Sequence, residues 1–221
     1  MRPLVAVDGP AGAGKSSASR ALARRLGFGY VDTGAMYRAV GVLAAERGID
    51  PDDAAALGRL VAALDFELAD DGERLLVGGR NLSAAIRRPE AGELASRVST
   101  QPVVRQRLVA LQRALGAAGG IVMEGRDIGT VVFPDAPVKL YLTADPAVRA
   151  ARRAAELRAG AATIDEAALA RELAGRDRRD AGRAHSPLRR AADAVVLDTT
   201  ALTLEEVVER MERLVRERWP G

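Results

Sequence analysis

The sequence contains no cysteine. That excludes disulfide staples, thiolate-bound zinc and thiol nucleophiles, and it fits a reducing compartment. Aromatic residues make up only 3%, so the core has to be built from Ala, Leu and Val. No apolar stretch approaches the roughly 20 residues of a membrane-spanning helix. The opening MRPLVAV runs straight into a strand-like segment, without the charged start, apolar centre and cleavage site of an export signal. These absences predict a soluble cytoplasmic protein with no membrane partner. Histidine occurs once, at His185, which reads as a loop residue rather than a catalyst, and lysine occurs only at Lys15 and Lys139. An N-K-x-D tetrapeptide, the guanine-reading element of a GTPase switch, is also missing.

What is present is arginine. The net charge is +3, and between Arg149 and Arg190 arginine outnumbers Asp plus Glu. Such a segment suits nucleic acid or a set of phosphates to clamp. The guanidinium fork favours phosphates, because it binds their oxygens bidentately. A chain that uses Ala, Gly and Arg throughout leaves compositional bias open for any single arginine. A length of 221 residues fits one α/β domain with a small insertion.

PLVAV reads as a buried strand and Lys15 to about Leu26 as a helix, ended by a basic last turn and a Gly27 cap. YVDTG reads as a short strand with a turn, AMYRAVGVLAAERG as a helix stopped at Gly48, and DPDDAAALGRLVAAL as a further helix. FELADDGERLLVGGRNL is broken by DDG and GG, as about three short antiparallel strands would be. It interrupts a βα pattern, so residues 62–99 are expected to be an inserted subdomain. Then come a helix from Pro102, strands in GGIVMEG and PVKLYLTA, and Arg-rich helices in DPAVRAARRAAELRA and TIDEAALARELAGRDRRDAGRA. A strand AVVLDTT and a helix TLEEVVERMERLVRER end the chain. There is no repeat and no low-complexity linker. Alternating strands and helices predict a parallel sheet covered on both faces.

Between the first strand and helix lies GPAGAGKSS, residues 9–17. Gly9, Gly14, Lys15 and Ser16 fit G-x-x-x-x-G-K-[ST]. Glycines let backbone amides turn inward toward phosphate oxygens, and the following helix aims its positive end at the anion. Lys15 would reach the β- and γ-phosphates, and Ser16 would bind Mg²⁺. The loop implies a nucleoside triphosphate, not its acceptor. IVMEG places Glu124 at a strand end, as in a motor ATPase, yet Arg126 and Asp127 follow at once and look more like a binding site.

A phosphotransferase needs cationic groups that close over the moving phosphoryl group and exclude water. Arg149, Arg152, Arg153 and Glu156 share one helix face, and Arg176, Arg179, Asp180 and Arg183 share another. With AGAAT between them, residues 149–183 read as a lid hinged on small residues.

GPAGAGKSS, DTGAMYRA, EGRDIGTVVFPDAPVKLYL and RDRRDAGRAHSPL with ADAVVLDTT together resemble the bacterial cytidylate kinases, over essentially the whole chain. The resemblance implies a single domain over 1–221. It would be a three-layer P-loop kinase core with a parallel sheet, a helical lid and an inserted small antiparallel-sheet and helix subdomain that binds the monophosphate. It implies transfer of the ATP γ-phosphoryl to CMP or dCMP with Mg²⁺, by alignment and charge stabilisation without a general base.

It also implies roles for residues. The ATP set is Gly9, Pro10, Ala11, Gly12, Ala13, Gly14, Lys15, Ser16 and Ser17, with Arg149 and Arg153 from the lid. Thr33 and Tyr37 would line the CMP site, Arg38 would grip the acceptor phosphate, and Ser96 and Arg105 would lie near the cytosine. Gly125, Arg126 and Asp127 form the family's G-R-D, with Arg126 on phosphate and Asp127 placing the nucleoside. Arg176 and Asp180 would hold the ribose and Arg183 would complete the anion site. Lys15, Arg126, Asp127 and Arg183 would carry catalysis. Asp32 is open between holding a Mg²⁺-bound water and capping a turn. Other readings are a kinase for UMP, dTMP or shikimate, and a nucleic-acid-stimulated ATPase; the favoured one has no nucleic-acid partner and a monomeric enzyme.

Overall fold

The computed structural model describes residues 2–69, 74–158, 165–183 and 186–219. Its elements, in chain order, are β1 (Leu4–Asp8), α1 (Lys15–Leu26), β2 (Gly29–Asp32), α2 (Thr33–Glu46), α3 (Ala54–Ala62), β3 (Phe66–Ala69), β4 (Arg74–Val77) and β5 (Arg80–Asn81). After a short turn at Ala85–Arg87 come α4 (Ala91–Val98), α5 (Pro102–Gly116) and β6 (Ile121–Glu124). A wide helical turn, Ile128–Val132, precedes β7 (Val138–Thr143), α6 (Pro146–Arg158), α7 (Glu166–Ala181), β8 (Val195–Asp198) and α8 (Leu204–Arg218). Contacts divide the chain into two compact units, residues 1–28 with 119–221, and residues 29–118.

In the first unit β6, β1, β7 and β8 lie side by side in that order. All pairings are parallel, with Leu4 opposite Ile121, Val5 opposite Val138 and Leu140 opposite Val195. Every residue of β1 is buried, which is why LVAV is continuously apolar rather than alternating. The helix α1 packs on β6 and α8, and α8 also meets β7. Gly27 ends α1 in the left-handed conformation, φ 62°, as the sequence predicts. Thr203 and Glu206 open α8 with a reciprocal capping box.

The second unit has its own core, in which Met36, Leu57, Leu82 and Leu108 are fully buried. Its antiparallel sheet has the order β3-β4-β5, with Phe66 opposite Val77 and Leu76 opposite Asn81. Gly78 and Gly79 make the β4–β5 turn with φ of 55° and 77°, the pair of positive values that a two-residue hairpin turn requires. The α2 and α4 helices pack closely because Gly41 has no side chain; a Cβ there would lie 2.7 Å from Leu94 Cβ.

The α/β class, the parallel sheet and the small antiparallel insert agree with the sequence reading, and several boundaries do not. The α2 helix starts at Thr33 rather than Ala35, because Asp32 caps it by accepting the Ala35 N–H at 2.9 Å. The α3 helix starts at Ala54 rather than near Asp50, because Asp53 is the residue that accepts from Ala56. The α7 helix starts at Glu166, where Asp165 accepts from Ala167 and Ala168. The helix α4 and the Ile128–Val132 turn carry too short a pattern to be anticipated. No helix among the described residues is long and apolar enough to cross a membrane. The DDG turn, the AGAAT hinge and His185 lie outside the described residues.

Candidate active site

In the first unit the loop GPAGAGKSS leaves the buried end of β1 and turns into α1. Gly9 has φ 146°, and a Cβ on it would fall 2.0 Å from the Leu142 carbonyl oxygen. Gly12, φ 75°, would bring a Cβ within 2.9 Å of the Arg149 carbonyl oxygen. Gly14 has φ 81° and precedes α1, whose N-terminus has no side-chain cap. A helix N-terminus without a side-chain cap is of the kind that suits an anion. Ser16 and Ser17 are exposed there.

Lys15 is buried and donates from Nζ to the Pro10 carbonyl at 2.8 Å. Burial and the nearby Arg126 charge push its amine down to about 7, against the opposing pull of Glu124 and Asp8. A phosphate group beside the amine would oppose that shift by favouring its charged form.

The helices α6 and α7 hold the loop from outside. Arg149 donates from Nη1 to the Ala11 carbonyl at 3.0 Å and pairs with Asp177. Asp177 in turn accepts the Ala11 N–H at 3.2 Å. The Ala11 methyl packs with Ala150, Ala154, Leu169 and Leu173. Arg152 donates to the Thr199 carbonyl at 2.6 Å, and the Thr199 hydroxyl lies 3.2 Å from the Ala13 carbonyl oxygen. Arg153 points elsewhere, pairing with Glu156 at 2.9 Å on the helix surface. The four residues predicted to share one face of α6 therefore divide among the loop, Thr199 and one another.

A second cluster joins the G-R-D turn to α7. Arg126 donates from Nε to Asp180 at 3.1 Å and from Nη1 to the Gly125 carbonyl at 3.2 Å. Asp180 is 1% exposed and also pairs with Arg183. Burial pushes the Asp180 carboxyl up, but the guanidiniums of Arg126, Arg183 and Arg176 outweigh it and hold it below the ordinary carboxylate range. Glu124, the last residue of β6, and Asp127, just before the Ile128–Val132 turn, are both buried. Asp8 accepts the N–H groups of Ile128 and Gly129; its burial raises the carboxyl to about 6 despite those bonds.

The second unit gathers the DTGAMYR residues. Arg38 donates from Nη2 to Asp32 at 2.7 Å while the other Asp32 oxygen caps α2. Gly34 permits that pairing, since a Cβ would lie 3.1 Å from both Arg38 Nη1 and Asp32 Oδ1. The Arg105 guanidinium stands 5.6 Å from the centre of the Tyr37 ring, a cation–π distance. Thr33, Ser96 and Arg105 are buried. Asp32 thus caps a helix, as one of its two readings expects, and also pairs with an arginine.

Sequence reasoning missed Asp8, Asp177 and Thr199. Asp177 and Thr199 stand inside RDRRDAGR and VVLDTT, but nothing in those strings marks them as loop braces. Asp8 directly precedes Gly9, and its signal is a carboxylate at the end of an otherwise apolar buried strand.

A phosphate loop with a buried lysine, at the carboxyl ends of parallel strands and beside an arginine–carboxylate cluster, defines a P-loop phosphotransferase. The chain matches the family model for cytidylate kinase over residues 5–217, and it belongs to that family. It is 52% identical over 219 residues to the cytidylate kinase of Geobacter sp. (strain M21), covering 97% of this chain and 93% of that protein. It is 48% identical over 217 residues to the cytidylate kinase of Syntrophotalea carbinolica, covering 97% and 92%. It is also 49% identical to the bifunctional pantoate ligase/cytidylate kinase of Synechococcus elongatus, where it spans all of this chain and 43% of the larger protein. The crystal structure of TT1252 from Thermus thermophilus shares the fold, with a TM-score of 0.52, 20% identity and full coverage of both chains.

Proposed function

We propose that this kinase moves the γ-phosphoryl group of ATP to CMP and dCMP, yielding ADP with CDP or dCDP. The observation that carries this reading is the pairing, in one unit, of the phosphate loop with the Arg126–Asp180–Arg183 cluster. Loop amides, Lys15 and the start of α1 take the triphosphate. Arg149, which already holds the loop at the Ala11 carbonyl, and Arg153, once released from Glu156, are its partners on the 149–183 segment, which serves as the lid. The exposed Ser16 hydroxyl, next to Lys15, fits a Mg²⁺ ion shared with ATP; when bound, that ion neutralises charge on the transferring phosphates.

The acceptor oxygen belongs to a phosphate monoester, which is already anionic near neutral pH. No side chain has to remove a proton, and transfer is in-line alignment plus charge stabilisation by Lys15, Arg126 and Arg183. For the acceptor, Gly125, Arg126 and Asp127 face phosphate and nucleoside, and Arg176 and Asp180 take the ribose. In the second unit, Thr33, Tyr37, Arg38, Ser96 and Arg105 are the acceptor residues, Arg38 for phosphate and Ser96 with Arg105 for the base; residues 62–99 are the monophosphate-binding insert. ADP formation from Mg-ATP should depend on CMP or dCMP and be far slower with UMP, dTMP, AMP or GMP. Equal rates with and without any monophosphate would contradict this reading.

A further inference from the structure

Asp8 ends the inner strand β1 one residue before Gly9, and it is 4% exposed. Its Oδ1 accepts the Ile128 N–H and its Oδ2 accepts the Gly129 N–H, each at 2.8 Å. These amides open the Ile128–Val132 turn, where the first N–H groups have no acceptor within the turn itself. Buried and unpaired, they would cost the full desolvation of a polar group. Upstream, the Gly125 N–H donates to the Val7 carbonyl at 2.9 Å.

The segment from Gly125 to Gly129 is therefore tied at both ends to the last two residues of β1, and Arg126 and Asp127 lie between the ties. Gly129 belongs to the device. A Cβ there would lie 3.1 Å from Lys139 Cδ and 3.4 Å from Asp8 Oδ2. Lys139 cannot give way freely, because its Nζ is held by Asp193 at 2.8 Å. Two convergent N–H donors need two acceptor oxygens. Aspartate supplies them; asparagine would offer one oxygen and set an NH₂ group against the other donor.

We propose that Asp8 is a positioning residue, which keeps Arg126 and Asp127 in register with the phosphate loop that begins at the next residue. The proposal rests on the acceptor roles given above to Arg126 and Asp127. It separates Asp8 from the loop's own work of holding ATP.

The test is Asp8→Asn in the full chain, with Val138→Ala as a buried comparison in the neighbouring strand. Asp8→Asn should lower kcat at least about tenfold and raise the CMP KM, while the Mg-ATP dissociation constant stays within about threefold. Val138→Ala should lower the melting temperature with kcat within about twofold. The proposal is overturned if Asp8→Asn keeps kcat within about twofold of the parent, or if Val138→Ala loses kcat equally at matched loss of stability. Amide hydrogen exchange on the unaltered protein decides the anchoring even if the variant does not fold. Ile128 and Gly129 should exchange as slowly as Val5 and Val7, and exchange at open-loop rates would overturn it. Failure of the CMP reading itself shows differently, as turnover indifferent to CMP with Ile128 and Gly129 still protected.

Discussion

Arg149 and Asp177 form an ion pair across α6 and α7, and between them they hold both polar backbone atoms of Ala11 in the phosphate loop. Asp180, one helical turn further along α7, faces Arg126 and Arg183 instead. Two carboxylates on one helix thus serve two different parts of the first unit.

Asp177→Ala should act on the donor side. It removes the acceptor for the Ala11 N–H and the partner of Arg149. Hydrogen bonds to charged groups contribute about 1.5–3 kcal/mol, so the KM for ATP should rise about tenfold or more. The KM for CMP should stay within about threefold. Steady-state kinetics with each substrate varied in turn checks the split.

Asp180→Ala should act on the acceptor side and on stability. It leaves Arg126 and Arg183 facing each other without their carboxylate. Breaking such a buried arrangement costs about 3–5 kcal/mol, visible as a lower melting temperature. Turnover of CMP and dCMP should fall far more than ATP binding does. Undiminished monophosphate kinetics would remove Asp180 from the acceptor role.

The same carboxylate sets a pH dependence. Its folded-state pKa lies below the ordinary 3.8, so on acidification the unfolded chain binds the proton first. The stability it contributes is present above 3.8 and is lost as pH falls through the lower folded value. The melting-temperature deficit of Asp180→Asn relative to the parent should therefore shrink as pH drops below 3.8. A deficit that is constant or grows with acid would contradict the sign.

Gly9→Ala should abolish the loop geometry. The added Cβ would meet the Leu142 carbonyl oxygen at 2.0 Å from a backbone at φ 146°. Strain and overlap together should destabilise the protein by about 3 kcal/mol or more. Denaturant unfolding measures the loss, and ATP binding should be lost with it.

Lys15→Met should keep the fold and lose the reaction. The lysine donates to the Pro10 carbonyl in the loop, and burial disfavours its charged form. A fall in kcat of about 10²-fold or more is expected for removing a group that stabilises transition-state charge, with an unchanged circular dichroism spectrum.

The loop was legible because its glycines, lysine and serine have a fixed spacing between a strand and a helix. The β4–β5 hairpin was legible because Gly78 and Gly79 supply two adjacent positive φ values. What stayed hidden was which carboxylate meets which partner. Asp8 contacts Ile128 and Gly129 across more than a hundred residues of sequence, and Asp177 meets Ala11 across a similar distance. Local periodicity carries no information on such pairs. Helix starts were ambiguous for a local reason: Asp50, Asp52 and Asp53 can each cap a helix, and in the fold Asp53 does so while Asp50 accepts the Asp52 N–H.

In the proposed reaction the γ-phosphoryl group leaves for a monophosphate rather than for water. Phosphorus NMR of Mg-ATP and CMP incubated with the enzyme distinguishes the two fates. CDP and ADP should rise in equal amounts, with inorganic phosphate staying at its background level. ADP accompanied by an equal amount of inorganic phosphate, with CMP unchanged, would contradict it.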